Sequence, residues 1–323
     1  MENRKIRSVA DLSLSGDSAP HLTSKVLMIR PIRFGYNEET ASNNAFQKKG
    51  NEGHDSVQKA ALAEFNSFVA LLESNGVEVV VVEDTPNPHT PDSIFPNNWF
   101  STHTTGEIVL YPMCASNRRL ERKEAPLAVI KSLRVNGAMG RTLDLSICEA
   151  DNRFLEGTGS MVLDRTNAIA FVCRSPRSDE SVLDRFCKDL GYKYFFFNAY
   201  DRNGSAIYHT NVMMCMGDKF VVACLDSIRD SAEREIFVEI SKKLNKEIVD
   251  ISTDQMENFA GNMLQLKNSE DESIIVMSST AKKSLNSGQL NILESHCKII
   301  SPQISTIETN GGGSARCMIA ELF

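Results

Sequence analysis

The C-terminal stretch GGGSARCM places a cysteine, Cys317, directly after a glycine run and six residues from the end of the chain. Glycines allow backbone to approach a ligand closely or to close over it, and the adjacent Arg316 favours a thiolate at Cys317. The chain has eight cysteines, and most free cysteines are inert buried thiols. We interpret Cys317 as a nucleophile because of its glycine run and its neighbouring cation.

Groups that could work with such a nucleophile occur elsewhere. His209, in YHTNVMM, is a candidate general acid or base, and Glu156, in FLEGTGSMV, could orient it. A lone histidine is more often structural, and Glu156 could simply cap a turn. His103 is the second choice for the histidine. The further polar candidates, which could also be turn residues, are Asp92, Asn97, Asn98, Asn211, Glu257, Asn258 and Asn262.

These residues precede short apolar segments that recur at intervals of roughly 50 to 60 residues, a period typical of repeat folds. Each repeat is predicted to contain two strands, a helix and a third strand. The helix argues against an all-β propeller. The terminal CMIAELF has no helix of its own, so it is predicted to complete the module begun by VLMIRP. The first strands are predicted to begin at Phe100, Met161, Val212, Met263 and Met318.

A closed ring brings the starts of these first strands to one axis. We therefore predict a five-bladed α/β propeller of pseudo-fivefold ββαβ modules around a central pocket. Residues 25–323 are predicted to form this single catalytic domain, after a lead-in of residues 1–24 whose mobility the sequence leaves open. It also leaves open which of Asn97 and Asn98 points inward.

The composition favours a small-molecule partner. The 323 residues carry a net charge of −7 with a pI near 5.5, whereas nucleic acids and anionic membranes favour a basic face. No apolar run reaches the roughly 18 residues of a membrane span, and no signal-peptide core is present, so we expect a cytoplasmic protein. The cysteines form no CxxC or CxxH pair, and we expect neither a metal site nor disulfides. The sequence does not decide whether the chain forms a homo-oligomer.

The ring, together with DSIFPNN, EGTGS, HTN and GGGSARCM, resembles the guanidino-group-modifying superfamily of arginine deiminases, dimethylarginine dimethylaminohydrolases and amidinotransferases. The stretches RPIRFGYNEETASNNAFQ, FPNNWFSTH, YHTNVMMCMG, FAGNMLQL and GGGSARCMIAE resemble more closely its citrulline-utilisation hydrolase, or citrulline ureidase, branch. The resemblance implies that Cys317 attacks the central sp² carbon of the substrate and that His209, supported by Glu156, moves protons. A covalent intermediate forms, and no metal or organic cofactor is needed.

Two positions depart from the arginine deiminase pattern, in which Asn98 and Asn211 are typically aspartates that grip a guanidinium. An ionised aspartate only accepts hydrogen bonds, whereas asparagine also donates, as a neutral ureido group requires. Two carboxylates buried against a neutral ligand would leave charge unpaired. We therefore predict a cysteine hydrolase that converts L-citrulline to ornithine, ammonia and carbon dioxide through a thioester, with the leaving order open.

An amino-acid substrate also needs a partner for its carboxylate. By position in the family, NRRLERK and SPRSDE nominate Arg118 or Arg119, and Arg177, although the basic cluster could equally be a solvated helix start. Asp92 could hold a substrate nitrogen or the α-amino group. Three rivals stay open: a guanidine hydrolase of the arginine deiminase or dimethylarginine dimethylaminohydrolase type, an amidinotransferase, and a non-catalytic amino-acid sensor.

Overall fold

The computed structural model describes residues 4–12, 22–41, 44, 46–50, 53–132, 134–135, 138–139 and 141–323. The strands in this part of the chain are β1 (Lys25–Arg30), β2 (Glu78–Glu83), β3 (Phe100–Thr102), β4 (Ile108–Leu110), β5 (Arg134–Val135), β6 (Ala138–Met139), β7 (Thr142–Asp144), β8 (Met161–Asp164), β9 (Ile169–Cys173), β10 (Lys193–Phe197), β11 (Met214–Met216), β12 (Phe220–Ala223), β13 (Glu247–Asp250), β14 (Leu264–Lys267), β15 (Ser273–Val276), β16 (Lys298–Ile300) and β17 (Ala320–Glu321). The helices are α1 (Glu38–Ala41), α2 (His54–Ser74), α3 (Ser116–Arg119), α4 (Glu124–Ser132), α5 (Gly157–Ser160), α6 (Glu180–Leu190), α7 (Thr210–Met213), α8 (Ser231–Lys243), α9 (Thr253–Glu257), α10 (Ser279–Ser284), α11 (Ser287–His296) and α12 (Ser305–Gly311).

Five three-stranded sheets form the blades of the fold, in the orders β17-β1-β2, β3-β4-β7, β8-β9-β10, β11-β12-β13 and β14-β15-β16. In each blade the inner strand is antiparallel to the middle strand. The middle strand is parallel to the outer strand, which a helix connects to it: α2, α4, α6, α8 or α11. This arrangement confirms the predicted five-bladed α/β propeller of ββαβ modules.

The ring closes through the two ends of the chain. Strand β17 pairs with β1 in the register Val26 to Glu321 and Leu27 to Ala320, and the Leu322 amide donates to the Lys25 carbonyl at 2.9 Å. The terminal segment therefore completes the first blade, as predicted. This pairing fixes the position of the residues just before β17.

Two helices show how the spacing of apolar residues and the capping residues correspond to the structure. The predicted apolar face of α2 is confirmed, since Val57, Ala61, Phe65, Phe68 and Leu72 are all buried. Asp179 is the N-cap residue of α6, and its side chain accepts from two backbone amides of the helix. Gly191, with a φ of 77°, follows the last helical residue at a position where glycine costs no steric strain.

Two details differ from the prediction. The expected helix near residues 119–133 is divided into α3 and α4, because Pro126 fits only the first turn of a helix. Three inner strands begin one or two residues later than predicted, at Met214, Leu264 and Ala320. Turns precede them, and a short apolar run does not distinguish a helical turn from a strand.

Residues 4–12 of the lead-in lie against the third and fourth blades. Lys5 forms a parallel bridge with Tyr194 at the edge of β10, and Ile6, only 2% exposed, packs into the largest core cluster. Lys243 Nζ donates to the carbonyls of Val9 and Leu12 at 2.8 and 3.0 Å. Residues 1–3 and 13–21 of the lead-in lie outside the described residues. None of the described helices is long and apolar enough to cross a membrane.

We expect Ile6→Ala to lower the free energy of unfolding by about 2–4 kcal/mol, because it leaves a cavity in the core. Urea denaturation measures this difference. Arg7→Ala, at the exposed neighbouring side chain, is the control and should stay within about 0.5 kcal/mol of wild type. Equal stability of the two variants would mean that residues 4–12 contribute nothing to the fold.

Candidate active site

Short turns before the inner strands carry the polar side chains of the central pocket. Asn98 ends a 3₁₀ turn before β3, Glu156 and His209 are the N-cap residues of α5 and α7, and Cys317 lies in a 3₁₀ turn before β17. A single helical turn followed by a strand bends the chain sharply toward the axis. These positions therefore converge although they are far apart in sequence.

These turns surround a small pocket at the axis of the ring. Its lining residues are Thr40, Asn44, Asp92, Phe95, Asn98, Arg118, Arg177, Tyr208, His209, Gly311, Gly312, Gly313 and Cys317.

Glu156 and His209 form a buried pair. Glu156 Oε2 lies 2.7 Å from His209 Nε2 and accepts from Arg177 at 3.3 Å, and Oε1 accepts from the Cys114 amide at 2.9 Å. Burial acts to raise the pKa of the Glu156 carboxyl, but Arg177 and His209 outweigh it and hold that pKa below its ordinary value. The carboxylate is therefore ionised.

The same pair determines the proton positions on His209. Burial lowers the pKa of His209 to about 4, although Glu156 acts in the opposite direction. The imidazole is thus neutral near pH 7. Because an ionised carboxylate only accepts hydrogen bonds, Nε2 carries the proton and Nδ1 is the basic nitrogen.

Gly159 allows the close packing around His209, and the sequence reasoning missed it. A Cβ at this position would lie 2.8 Å from His209 Nδ1 and 2.3 Å from Asn98 Nδ2, distances at which atoms collide. The two glycines of EGTGS are the sequence feature that could have indicated this close packing. Gly159 therefore permits the approach of the turns that carry Asn98 and His209.

Cys317 Sγ is surrounded by amides. Asn262 Nδ2 lies 3.3 Å from the sulfur and Asn211 Nδ2 lies 3.6 Å from it. The expectation that Arg316 favours the thiolate stays a prediction, because its guanidinium is bonded to Ile319 O at 2.9 Å and to Glu321 at 2.8 Å rather than to the sulfur. Its charge is therefore paired with Glu321.

The glycine run before Cys317 is a packed loop. A Cβ on Gly311 or Gly313 would lie 2.7–2.8 Å from the Phe95 ring, and the Gly312 carbonyl accepts from Tyr208 Oη at 3.2 Å. These glycines are needed for close packing beside the pocket, one of the two explanations that the sequence offered.

Asn98 and Asn97 take different positions. Asn98 lines the pocket; its Oδ1 accepts from Arg118 at 2.8 Å, and its buried Nδ2 has no partner in the protein. Asn97 lies behind it and donates to Thr158 Oγ1 at 3.3 Å. Asn98 is therefore the pocket residue of the two.

Three side-chain oxygens in this region are also buried without hydrogen-bond partners: Asp92 Oδ1, Asn97 Oδ1 and Asn211 Oδ1. Asp92 Oδ2 accepts from Asn37 Nδ2 at 2.7 Å, and burial raises the pKa of Asp92. Buried polar atoms are nearly always paired. Of the residues with such unpartnered atoms, Asp92 and Asn98 line the pocket, whereas Asn211 lies beside the sulfur of Cys317 and outside that lining.

Only one of the two consecutive arginines faces the pocket. Arg118 forms a bidentate pair with Glu121 at 2.7 and 3.0 Å, whereas Arg119 donates to the carbonyls of Met113 and Cys114. Consecutive helical residues point about 100° apart, so both cannot face one pocket. Arg177, the third nominated arginine, lies 4.8 Å from the centre of the Tyr208 ring.

The other sequence candidates lie elsewhere. His103 is buried against Ser101, Glu257 pairs with Arg202 on the surface, and Asn258 is exposed. Among the residues that the structure describes, no group of three or more His, Cys, Asp or Glu side chains could hold a metal ion.

A family model described as N,N dimethylarginine dimethylhydrolase, eukaryotic, matches residues 30–323. The chain belongs to this family. It is therefore a hydrolase that acts on C–N bonds, and the resemblance to the guanidino-group-modifying superfamily is confirmed. The search of curated proteins found no match to the sequence of this chain.

Solved structures show the same fold. The N-terminal domain of ArgZ, described as an arginine dihydrolase from Cyanobacteria and solved with substrate, is 17% identical, has a TM-score of 0.70, and the match covers 91% of this chain and 96% of that one. DDAH from Pseudomonas aeruginosa, solved with citrulline, is 12% identical, has a TM-score of 0.61, and the match covers 93% and 99%. Unliganded AgrE is 16% identical, has a TM-score of 0.66, and the match covers 91% and 38%. At these identities the likeness establishes the propeller fold.

The His209 pKa leads to a prediction about acid stability. In the unfolded chain a histidine takes up a proton below about pH 6.5, whereas folded His209 stays neutral down to about pH 4. Protons therefore favour the unfolded state as the pH falls. Between pH 7 and pH 5 this difference lowers the free energy of unfolding of the wild type by about 2 kcal/mol. We expect His209→Gln to lack this decrease.

Denaturant unfolding at pH 7, 6 and 5 measures this change. His54→Gln, at an exposed histidine, is the matched control and should retain the wild-type pH dependence. If His209→Gln and wild type lose stability in parallel, His209 does not stay neutral in the folded protein.

Proposed function

We propose that this hydrolase cleaves a ureido group and that its substrate is L-citrulline. The observation that carries the proposal is the fixed orientation of the Asn98 amide. Arg118 donates to Oδ1 of Asn98, so the unpartnered Nδ2 group is the end of the amide directed away from Arg118, toward Gly159 and His209. A pocket with a buried donor requires an acceptor on the ligand.

A ureido group supplies this acceptor. Its carbonyl oxygen can accept from Asn98 Nδ2, while its N–H groups can donate to Asn211 Oδ1, which is buried without a partner. A guanidinium has only N–H donors, and one of them would face the Asn98 N–H. The pair of asparagines therefore complements a ureido group better than a guanidinium.

The catalytic roles follow from the positions of three side chains. Cys317 Sγ attacks the ureido carbon and forms a C–S bond, while His209 takes up the thiol proton. The bond from that carbon to the side-chain nitrogen breaks, and His209 returns the proton to this nitrogen as ornithine leaves. Water then hydrolyses the carbamoyl thioester to carbamate, which decomposes to carbon dioxide and ammonia. Glu156 holds the imidazole throughout.

The remaining polar groups suit the amino-acid end of the substrate. Asp92 Oδ1 is a buried acceptor without a partner and would bind the α-ammonium group. Arg177 and Arg118 line the same pocket and would bind the α-carboxylate. Both arginines are already paired with carboxylates, so they would share their charge with the substrate.

A guanidine hydrolase is the second candidate. The family description names dimethylarginine, and Asp92 offers one anionic partner for a cationic group. Two similar structures fit this candidate: one is described as an arginine dihydrolase, and the other is a DDAH solved with citrulline, the compound that hydrolysis of dimethylarginine releases.

Product analysis distinguishes these possibilities. The purified chain is incubated separately with citrulline, arginine and dimethylarginine, with Cys317→Ala as the control. We expect ornithine and ammonia from citrulline, and none from the variant. Citrulline formed from arginine or dimethylarginine, with citrulline itself unchanged, would establish the guanidine hydrolase instead.

A single substitution tests the orientation argument. In Asn98→Asp one oxygen can still accept from Arg118, but the group that faces the pocket no longer donates. We expect kcat/KM for citrulline to fall by about a hundredfold or more, because a buried donor is replaced by a charged acceptor. Asn203→Asp, at an exposed position, is the control. Citrulline hydrolysis at the wild-type rate in Asn98→Asp would contradict the assigned hydrogen bond.

A further inference from the structure

Asn262 lies beside the proposed nucleophile. Neither the catalytic scheme nor the proposed substrate contacts explain its position there. It is 2% exposed and follows a tight turn at residues 258–261, just before β14. Gly261 allows this turn to approach α7, because a Cβ there would lie 2.3 Å from the Val212 carbonyl oxygen. The resulting close contact brings Asn262 to the sulfur of Cys317.

Two backbone hydrogen bonds fix the orientation of the Asn262 amide beside the sulfur. Its Oδ1 accepts from the Arg316 amide at 3.1 Å. Its Nδ2 donates to the Asn211 carbonyl at 3.0 Å and lies 3.3 Å from Cys317 Sγ. The Oδ1 atom lies 3.6 Å from the sulfur, where it can accept from a thiol, so the N–H donor is the closer of the two amide groups.

The arginines of this region have other partners. Arg118 is paired with Glu121, Arg177 with Glu156, and Arg316 with Glu321. A cationic substrate would bring its own positive charge to the sulfur, but the neutral ureido substrate proposed above brings none. The negative charge on Cys317 must then be stabilised by hydrogen-bond donors of the protein.

We propose that Asn262 is a catalytic residue that stabilises the negative charge on Cys317 Sγ as the thiol gives up its proton, through its Nδ2 hydrogen bond to the sulfur. Asn211 Nδ2, at 3.6 Å, is the weaker second donor. This role rests on the proposed function, because a neutral substrate brings no positive charge to the sulfur and the protein must then supply the donor. The role itself can be measured without any substrate.

The test is alkylation of Cys317 by iodoacetamide in the free enzyme, followed by mass spectrometry of the peptide that carries it. In wild type at pH 7, we expect Cys317 to react faster than the half-buried Cys114 of the same molecule, although Cys317 is only 7% exposed. A slower reaction at Cys317 than at Cys114 would overturn the proposal. This comparison needs no variant.

Asn262→Asp separates the donor role from a structural one. An aspartate can still accept from the Arg316 amide but offers no N–H to the sulfur. We expect alkylation at pH 7 to slow by about ten- to a hundredfold, the usual effect of one hydrogen bond to a charged group. The pH at which the rate is half-maximal should also rise, which a purely structural defect would not cause.

Asn258→Asp introduces the same charge four residues earlier at an exposed position and should react like wild type. Asn262→Ala, which removes the donor without adding charge, should react slowly as well. Wild-type alkylation with an unchanged pH profile in Asn262→Asp would overturn the proposal. Failure of wild type to hydrolyse citrulline would leave these results intact and would refute only the proposed substrate.

Discussion

The closure of the ring is the constraint on which the pocket depends. Cys317 stands three residues before β17, and β17 stays in place because it pairs with β1 at the other end of the chain. Without this pairing the cysteine would lie on a free terminus. Two bonds strengthen the closure: Thr102 Oγ1 accepts from the Phe323 amide at 3.0 Å, and Thr23 Oγ1 donates to the Leu322 carbonyl at 2.5 Å.

Within the closed ring, buried charges set the orientation of neutral groups. An isolated buried ion pair contributes little to stability, because desolvation offsets the attraction. The pair of Arg118 and Glu121 instead holds a guanidinium that fixes the Asn98 amide. Similarly, Arg177 keeps Glu156 ionised, and Glu156 fixes which nitrogen of His209 is basic. These buried ion pairs therefore contribute defined proton positions in the pocket rather than stability.

The sequence predicted the modules, the ring and the polar groups before the inner strands, because apolar runs and helical spacing report local structure directly. It could not separate Asn97 from Asn98, or Arg118 from Arg119. Neighbouring residues point in different directions, and only the tertiary packing decides which one faces the axis. The roles of Gly159 and Asn262 also escaped prediction, because both depend on the approach of turns from different blades.

In the function proposed above, substrate selection depends on the free energy needed to rotate the Asn98 amide. If Asn98 rotated to offer its oxygen to a guanidinium, its Nδ2 would face the Arg118 guanidinium, and two donors would oppose each other. Arg118 is held by Glu121 and by the Phe95 carbonyl, so it cannot turn away without leaving those acceptors unpaired. Each unpaired buried group costs about 1–3 kcal/mol, which corresponds to about a five- to 150-fold loss in affinity. In the proposed function, the arginine that fixes Asn98 is thus what discriminates against a guanidinium, without touching the reacting carbon.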